Sequence, residues 1–231
     1  MSGQSPNMYI YETHLHTDTV SACAKSTPAE QVHAYKNRGY TGIIITDHFL
    51  NGHAHKHGGS KWSEKVDFFA SSYKKAKAEG DKVGLDVFFG WEYSIRGSDF
   101  LTYGLDIDFL LEYPQLENTV SIDEYSLLVR KHGGYLAQAH PFREGTWILE
   151  QKPVSPSLID GVEVHNGSMT YVCNKKAMEF AKKHALPMQA GSDSHDAFLH
   201  YEASGVKMPN KAMDIFDIIR AIKSFSVELI I

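Results

Sequence analysis

Five short stretches of the chain carry side chains of the kinds that bind metal ions: His14-Leu15-His16, Asp47-His48, Glu92, His140 and Asp193-Ser194-His195. In an extended segment, residues i and i+2 point to the same side. His14 and His16 can therefore aim two imidazoles at one ion while Leu15 packs behind them. Asp193 and His195 repeat that spacing with one carboxylate and one imidazole. Imidazole and carboxylate together suit zinc, manganese or iron, whereas a thiolate-rich site needs more than the two cysteines present, Cys23 and Cys173. The candidate donors outnumber what one ion coordinates, so two or three divalent ions are expected. Taken singly, each stretch has an ordinary explanation: a polar pair, a loop cap, a carboxylate beside an aromatic ring. Their joint recurrence is what points to metal.

Each stretch follows a strand-sized apolar run. Residues 8–14 (MYIYETH) lead into His16, 41–46 (TGIIIT) into Asp47, 85–89 into Glu92 and 135–139 into His140. Further strands are expected at 101–104, at 161–164 before His165-Asn166, at 187–190 before Gly191, and at 227–231. Between them lie helical segments. Thr27-Pro28-Ala29-Glu30 and Ser121-Ile122-Asp123-Glu124 are capping boxes, and helices are expected also over 63–79, 171–184 and 211–223. Strands alternating with helices predict an α/β fold with a parallel sheet, doubly wound or closed into a barrel, in a single domain over 1–231. Neither GxGxxG nor GxxxxGK[ST] occurs, which weakens the nucleotide-binding alternatives. Ligand types at the ends of successive strands favour a barrel, because the active sites of such barrels are built on that rim.

Composition narrows the function classes. The 231 residues are 42% hydrophobic and 22% charged, enough for a full core. A net charge of −5 argues against a general affinity for nucleic acid or acidic membrane. No apolar run approaches the ~18–20 residues of a spanning helix. The opening MSGQSPNMYI lacks the pattern of a signal peptide, and two cysteines suit a reducing compartment, so the cytoplasm is the expected location.

The five motifs, read in order, resemble the PHP family of polymerase and histidinol phosphatase domains. Its HxH, ITDH-like segment, glutamate after the third strand, AHP-like histidine and late D-x-H correspond to His14-Leu15-His16, Ile45-Thr46-Asp47-His48, Gly90-Trp91-Glu92, Gln138-Ala139-His140-Pro141 and Asp193-Ser194-His195. The resemblance covers residues from about 8 to 200. It implies a distorted (β/α)7 TIM-like barrel with two or three ions of zinc, manganese or iron, which hydrolyses phosphate esters. The first ion would take His14, His16, Glu92 and Asp193; the second would share Glu92 and take His140; the third would take His48 and His195.

Two departures from the family pattern stand out. The family usually has a further histidine shortly after the glutamate, where this chain has Asp99, which favours harder ions such as manganese. The donor that commonly follows HxH for the third ion has no clear counterpart. Asp18 and Cys23 are the nearby candidates, with Asp18 preferred because an unpaired cysteine is more often a small buried hydrophobe.

Arg143 would sit at the same rim and could hold a phosphate through two hydrogen bonds. Glu163 resembles an internal carboxylate of the family, and His165 is a candidate for a substrate or catalytic role. Asp193 and His195 are candidates for assisting proton transfer, with Glu92 shared between ions. The loop 51–59 (NGHAHKHGG) has the composition of a mobile lid or a collector of stray metal. Expected substrates are small phosphomonoesters, with a nucleotide or short oligonucleotide as the alternative. A metal-dependent amidohydrolase and a non-catalytic metal-holding module serving a partner are the rival readings.

Overall fold

Nine strands and six helices make up the fold over the residues that the computed structural model describes, 8–52, 54–145, 152–199 and 203–231. Strands β1 (Tyr9–Leu15), β2 (Gly42–Ile45) and β3 (Asp86–Ile95) pair in parallel, joined by helices α1 (Pro28–Asn37) and α2 (Trp62–Val83). Strand β4 (Ser98–Tyr103) runs antiparallel to β3 and to β5 (Tyr135–Gln138), with α3 (Ile107–Glu112) and α4 (Ile122–Lys131) between β4 and β5. Strand β6 (Gly161–Asn166), helix α5 (Tyr171–Lys183) and strand β7 (Met188–Gly191) restore the parallel arrangement. Strand β8 (Gly205–Met208), helix α6 (Ile215–Lys223) and strand β9 (Glu228–Ile230) complete the chain, with β8 antiparallel to both β1 and β9.

The sheet order is β7-β6-β5-β4-β3-β2-β1-β8-β9. Its two sides nearly meet, because the segment after β7 binds the end of β1. The Asp193 amide donates to the His14 carbonyl at 2.8 Å, and the His16 amide to the Ser194 carbonyl at 2.9 Å. The result is the barrel-like α/β fold expected from the sequence. Its departure from a purely parallel sheet has a local cause. β3 does not stop at residue 89 but continues to Ile95 and turns at Arg96 and Gly97, both at positive φ (50° and 89°). That two-residue turn suits a tight hairpin and makes β4 antiparallel. Strand β8 and helix α3 lie outside the sequence expectation, and the last helix starts at Ile215, capped by the Asp214 side chain, rather than at residue 211.

The core divides between the barrel interior and the layer beneath the outer helices. Ile218, Ile219 and Ile222 of α6 pack against Tyr11, Ile44, Leu101, Tyr103 and Tyr135, closing one end with apolar surface. The other helices cover the outside: Val66 and Phe69 of α2, Tyr125 and Val129 of α4, and Ala177 and Ala181 of α5 share one outer core with Trp91, Tyr93, Val162 and Val164. Strand alternation then settles where Glu92 goes. Its neighbours Trp91 and Tyr93 face the helices, so Glu92 faces inward. Both capping boxes form as expected, on Thr27 with Glu30 and on Ser121 with Glu124. No helix among the described residues is long and apolar enough to cross a membrane.

Tyr125 holds β3 in place. Its hydroxyl accepts from Trp91 Nε1 at 2.7 Å and pairs with Thr102 Oγ1 at 2.8 Å, and its ring stacks on Tyr93 with centroids 3.9 Å apart. Tyr125→Phe leaves the buried indole N–H without its acceptor and should cost about 1–3 kcal/mol in denaturant unfolding. A change below roughly 0.5 kcal/mol, the scatter of ordinary surface substitutions, would contradict this assignment.

Candidate metal centre

His14 and His16 leave the end of β1 with no exposed surface, and their Nε2 atoms face one another at 3.1 Å. Glu92 stands between them and two further imidazoles. Its Oε1 lies 3.5 Å from His14 Nε2 and 3.1 Å from His140 Nε2, and its Oε2 lies 3.6 Å from His16 Nε2 and 2.7 Å from His48 Nδ1. Asp193 closes the other side, with Oδ1 3.2 Å from His16 Nε2 and 3.5 Å from both His14 Nε2 and His195 Nδ1. Among the described residues the donor atoms form four overlapping groups with mutual distances within 4.8 Å: His16, His48 and His195; His14, His16 and Glu92; His14, His140 and Asp193; and Glu92, Asp99 and His140. Two buried imidazole nitrogens that face each other at hydrogen-bond distance cannot both carry a proton there. A set of imidazole and carboxylate donors aimed at common points, away from water, fits divalent zinc, manganese or iron.

The backbone is bent to achieve this. His140 (φ 27°) and Asp193 (φ 54°) are non-glycine residues in the left-handed region, just past the ends of β5 and β7. Such conformations persist where the surroundings over-determine them, often at functional sites.

Three buried carboxylates hold the frame. Glu163 accepts from His14 Nδ1 at 2.8 Å, from the His140 amide at 3.0 Å and from Asn166 Nδ2 at 2.9 Å. Its bond to Nδ1 turns His14 Nε2 toward Glu92 and Asp193. Glu12 accepts from the amides of His14 (2.8 Å) and Ser192 (2.9 Å), and burial pushes its carboxyl up to about 7. Asp47, a ligand type in the sequence, instead accepts from the Thr17 amide (2.6 Å) and from the hydroxyls of Thr17 (2.9 Å), Ser21 (2.7 Å) and Ser72 (2.5 Å). It fastens the loop after β1 to α2. Sequence reasoning missed Glu12, although its i, i+2 spacing from His14 on one strand was a usable signal.

The remaining candidates are placed as follows. Asp99 joins Glu92 and His140 and also accepts from Ser94 Oγ at 2.7 Å and Arg143 Nη2 at 2.8 Å, so Arg143 is at the rim and ion-paired. Cys23 lies against His48 and His195. Burial raises its thiol, but hydrogen bonds with those two imidazoles outweigh that and bring it down to about 6. Neither Asp18 nor the exposed Cys23 joins any of the donor groups among the described residues; the Asp18 amide donates to the Ser26 carbonyl at 2.8 Å, and its own carbonyl accepts from Lys56 Nζ. His165 is turned toward α5, where its Nδ1 meets Asn174 Nδ2 at 3.3 Å. In the loop 51–59, His53 lies outside the described residues. The Ala22 amide donates to the Ala54 carbonyl, and a β-bridge joins Ser21 and His55, so the loop is tied to the segment after β1.

Burial opposes the charged form of every imidazole here. At His14 the carboxylates of Glu163, Asp193 and Glu92 overcome it, and at His48 and His140 Glu92 does so. At His195, Cys23 and Asp193 do the same, so all four are held above the usual histidine range. His16, pressed by burial and by His48 and His195, falls well below it. Glu92 and Asp193, despite burial, are held well below the carboxylate range by the imidazoles around them.

Residues 173–198 match a family model described as PHP-associated. No curated protein matches the sequence. Solved structures match in fold. A two-domain protein from Bacteroides vulgatus, named as containing a predicted PHP-like metal-dependent phosphoesterase, aligns at TM-score 0.69 and 14% identity over 96% of this chain and 64% of its own. The chain thus spans less than two thirds of that relative. The lesion-specific endonuclease PfuEndoQ from Pyrococcus furiosus aligns at TM-score 0.64 and 14% identity, over 96% of this chain and 58% of its own. An amidohydrolase from Chromobacterium violaceum aligns at 0.61 and 14% identity, over 96% and 98%. The PHP resemblance drawn from the five motifs is borne out by this shared fold together with the matched segment.

Two outcomes follow from the geometry. Glu163→Ala, which releases His14 Nδ1, should weaken metal binding by about 10–100-fold in a chelator competition; unchanged affinity would contradict its role. Because His14, His48, His140 and His195 hold protons to higher pH than ordinary histidines, metal must displace those protons. Apparent affinity should therefore climb with pH. Calorimetry in two buffers of different ionisation heat should show net proton release, and its absence would refute this protonation pattern.

Proposed function

We propose that this PHP-type barrel is a metal-dependent phosphoesterase that hydrolyses small phosphomonoesters. The observation that carries the reading is the meeting of four imidazoles on the single buried carboxylate Glu92 at the rim where such barrels build active sites. His14, His16, Glu92 and Asp193 would hold one ion, Glu92, His140 and Asp99 a second, and His48 and His195 a third. Bound divalent ions supply Lewis acidity toward phosphoryl oxygens and lower the pKa of water.

The chain's own groups do the rest. Glu92 keeps neighbouring donor groups in register, since its two oxygens face different imidazoles. Arg143, held by Asp99 at the rim, offers its guanidinium to a phosphoryl oxygen and stabilises charge that develops there. His195 is more exposed than the imidazoles around it, with a side chain 26% accessible beside Asp193, and when it holds no ion it is placed to pass a proton to or from the substrate. His14, His16 and His140 are buried and keep bulk water from the reacting group, while His48 is 14% accessible. His165, facing Asn174, is assigned to the wall beside α5 rather than to proton transfer. A net charge of −5 favours small phosphate esters over long polynucleotides, with nucleotides or short oligonucleotides as the alternative substrates.

The test is hydrolysis by protein purified without chelator and supplied with zinc, manganese or iron, on panels of phosphomonoesters, nucleotides, oligonucleotides and amides. Phosphate release that Glu92→Ala abolishes together with metal content is the expected result. Amide cleavage without phosphate-ester cleavage would make the barrel an amidohydrolase, and no turnover despite full metal loading would make it a metal-holding module. Arg143→Ala should raise KM for phosphate esters by about tenfold or more, the loss of one charge-assisted hydrogen bond. An unchanged KM would remove Arg143 from the substrate site.

A further inference from the structure

We infer that the cleft between helix α5 and Ile231, just past β9, is a second binding site, for a small organic anion with an apolar body. The cleft measures ≈ 750 Å³, inside the span of ~300–1,000 Å³ for small-ligand sites. It lies on the far side of β6 from the metal centre. Along that strand Glu163 and Asn166 turn inward, to His14 Nδ1 at 2.8 Å and to Asp193 Oδ2 at 3.3 Å. Val164 packs instead with Ala177 and Ala181 of α5, and His165 faces Asn174, so these two residues line the cleft. No member of the metal-donor groups among the described residues lines it. The strand itself separates the two sites.

One face of α5 forms the wall, since Tyr171, Asn174, Lys175, Met178 and Lys182 recur at helical spacing. Val164, Met169 and Met178 supply apolar surface, and Tyr171 (78% exposed) and Ile231 (66% exposed) leave more of it in water. Apolar surface grouped in this way marks binding sites, and methionines adapt to ligands of varied shape. Charge on the wall sets the sign of the ligand. Lys176 is paired with Glu144 at 3.3 Å, whereas Lys175 and Lys182 have no ion-pair partner among the described residues. With Glu179 between them, the wall has a surplus of positive charge in a chain whose net charge is −5. That local field favours an anion. The wall is also preformed. Asn174 Oδ1 accepts from the Asn166 amide at 3.0 Å, its Nδ2 donates to the Asn166 carbonyl at 3.1 Å, and Thr170 Oγ1 caps the helix on the Cys173 amide. A ligand that meets a fixed wall loses less free energy to ordering it.

The experiment is a fluorescence titration of the metal-loaded full chain with anilinonaphthalene sulfonate, an aromatic body carrying one anionic group. Saturable binding of a single dye per chain is the expected result. Met178→Glu, which puts a like charge in the apolar wall, should weaken it by about tenfold or more. Lys175→Ala combined with Lys182→Ala should weaken it by about three- to tenfold, while the neutral phenylnaphthylamine binds that double variant as it binds wild type. Both lysines are exposed, so their removal leaves the fold intact even if Met178→Glu does not fold. Absence of saturable binding, a dye affinity that the lysine variant leaves unchanged, or equal losses for the anionic and neutral dyes would each overturn the assignment. Weakening by Arg143→Ala in place of the lysine variant would put the dye at the metal rim and overturn it as well. None of these outcomes depends on phosphate-ester hydrolysis.

Discussion

A buried carboxylate facing several imidazoles is the constraint around which the rest of the molecule is arranged. Glu92 is 1% exposed and lies within 3.6 Å of nitrogens on His14, His16, His48 and His140. Taking a charge out of water costs several kcal/mol unless it is closely paired, so the imidazoles and carboxylates must be delivered together or not at all. Parallel strands do this well, because their ends share one rim. The hairpin at Arg96-Gly97 adds a refinement, since it lets β3 run past Glu92 and return with Asp99 on β4 beside the same cluster.

The opposite end of the barrel offsets this polar rim. Helix α6 closes the interior with isoleucines against a ring of tyrosines, an apolar plug whose burial favours the fold. Around the rim, Glu163, Glu12 and Asp47 are shielded carboxylates that bind backbone and side-chain donors and so fix the strand ends. Even the strained residues His140 and Asp193 fit this division, because each is locked by neighbours: the His140 amide by Glu163, the Asp193 amide by the His14 carbonyl. Preorganisation of this kind lets a site bind ions without refolding around them.

Much of this was legible in the sequence because the donors lie close in the chain to strands with clear apolar patterns. His14 and His16 needed only the two-residue period, and His48 and His140 only the run before them. What escaped depends on contacts between distant segments. The hairpin carries Arg-Gly rather than the Asn-Gly or Asp-Gly that announces such turns, so β3 and β4 read as two short strands. Four-residue β8 has too little pattern to stand out. His165 read as a candidate for a substrate or catalytic role; in the fold it follows a register shift in β6 after Glu163, and its Nδ1 faces Asn174 of α5.

The central claim is that the rim is a multinuclear metal centre organised by Glu92. Anomalous diffraction from crystals of the metal-loaded chain, collected on either side of the zinc, manganese and iron absorption edges, tests it most directly. Separate peaks within bonding distance of Glu92, one also reaching His14, His16 and Asp193 and another reaching His140, are the predicted result. A fully loaded crystal with no peak bonded to Glu92, or with metal only on surface histidines, would contradict the account.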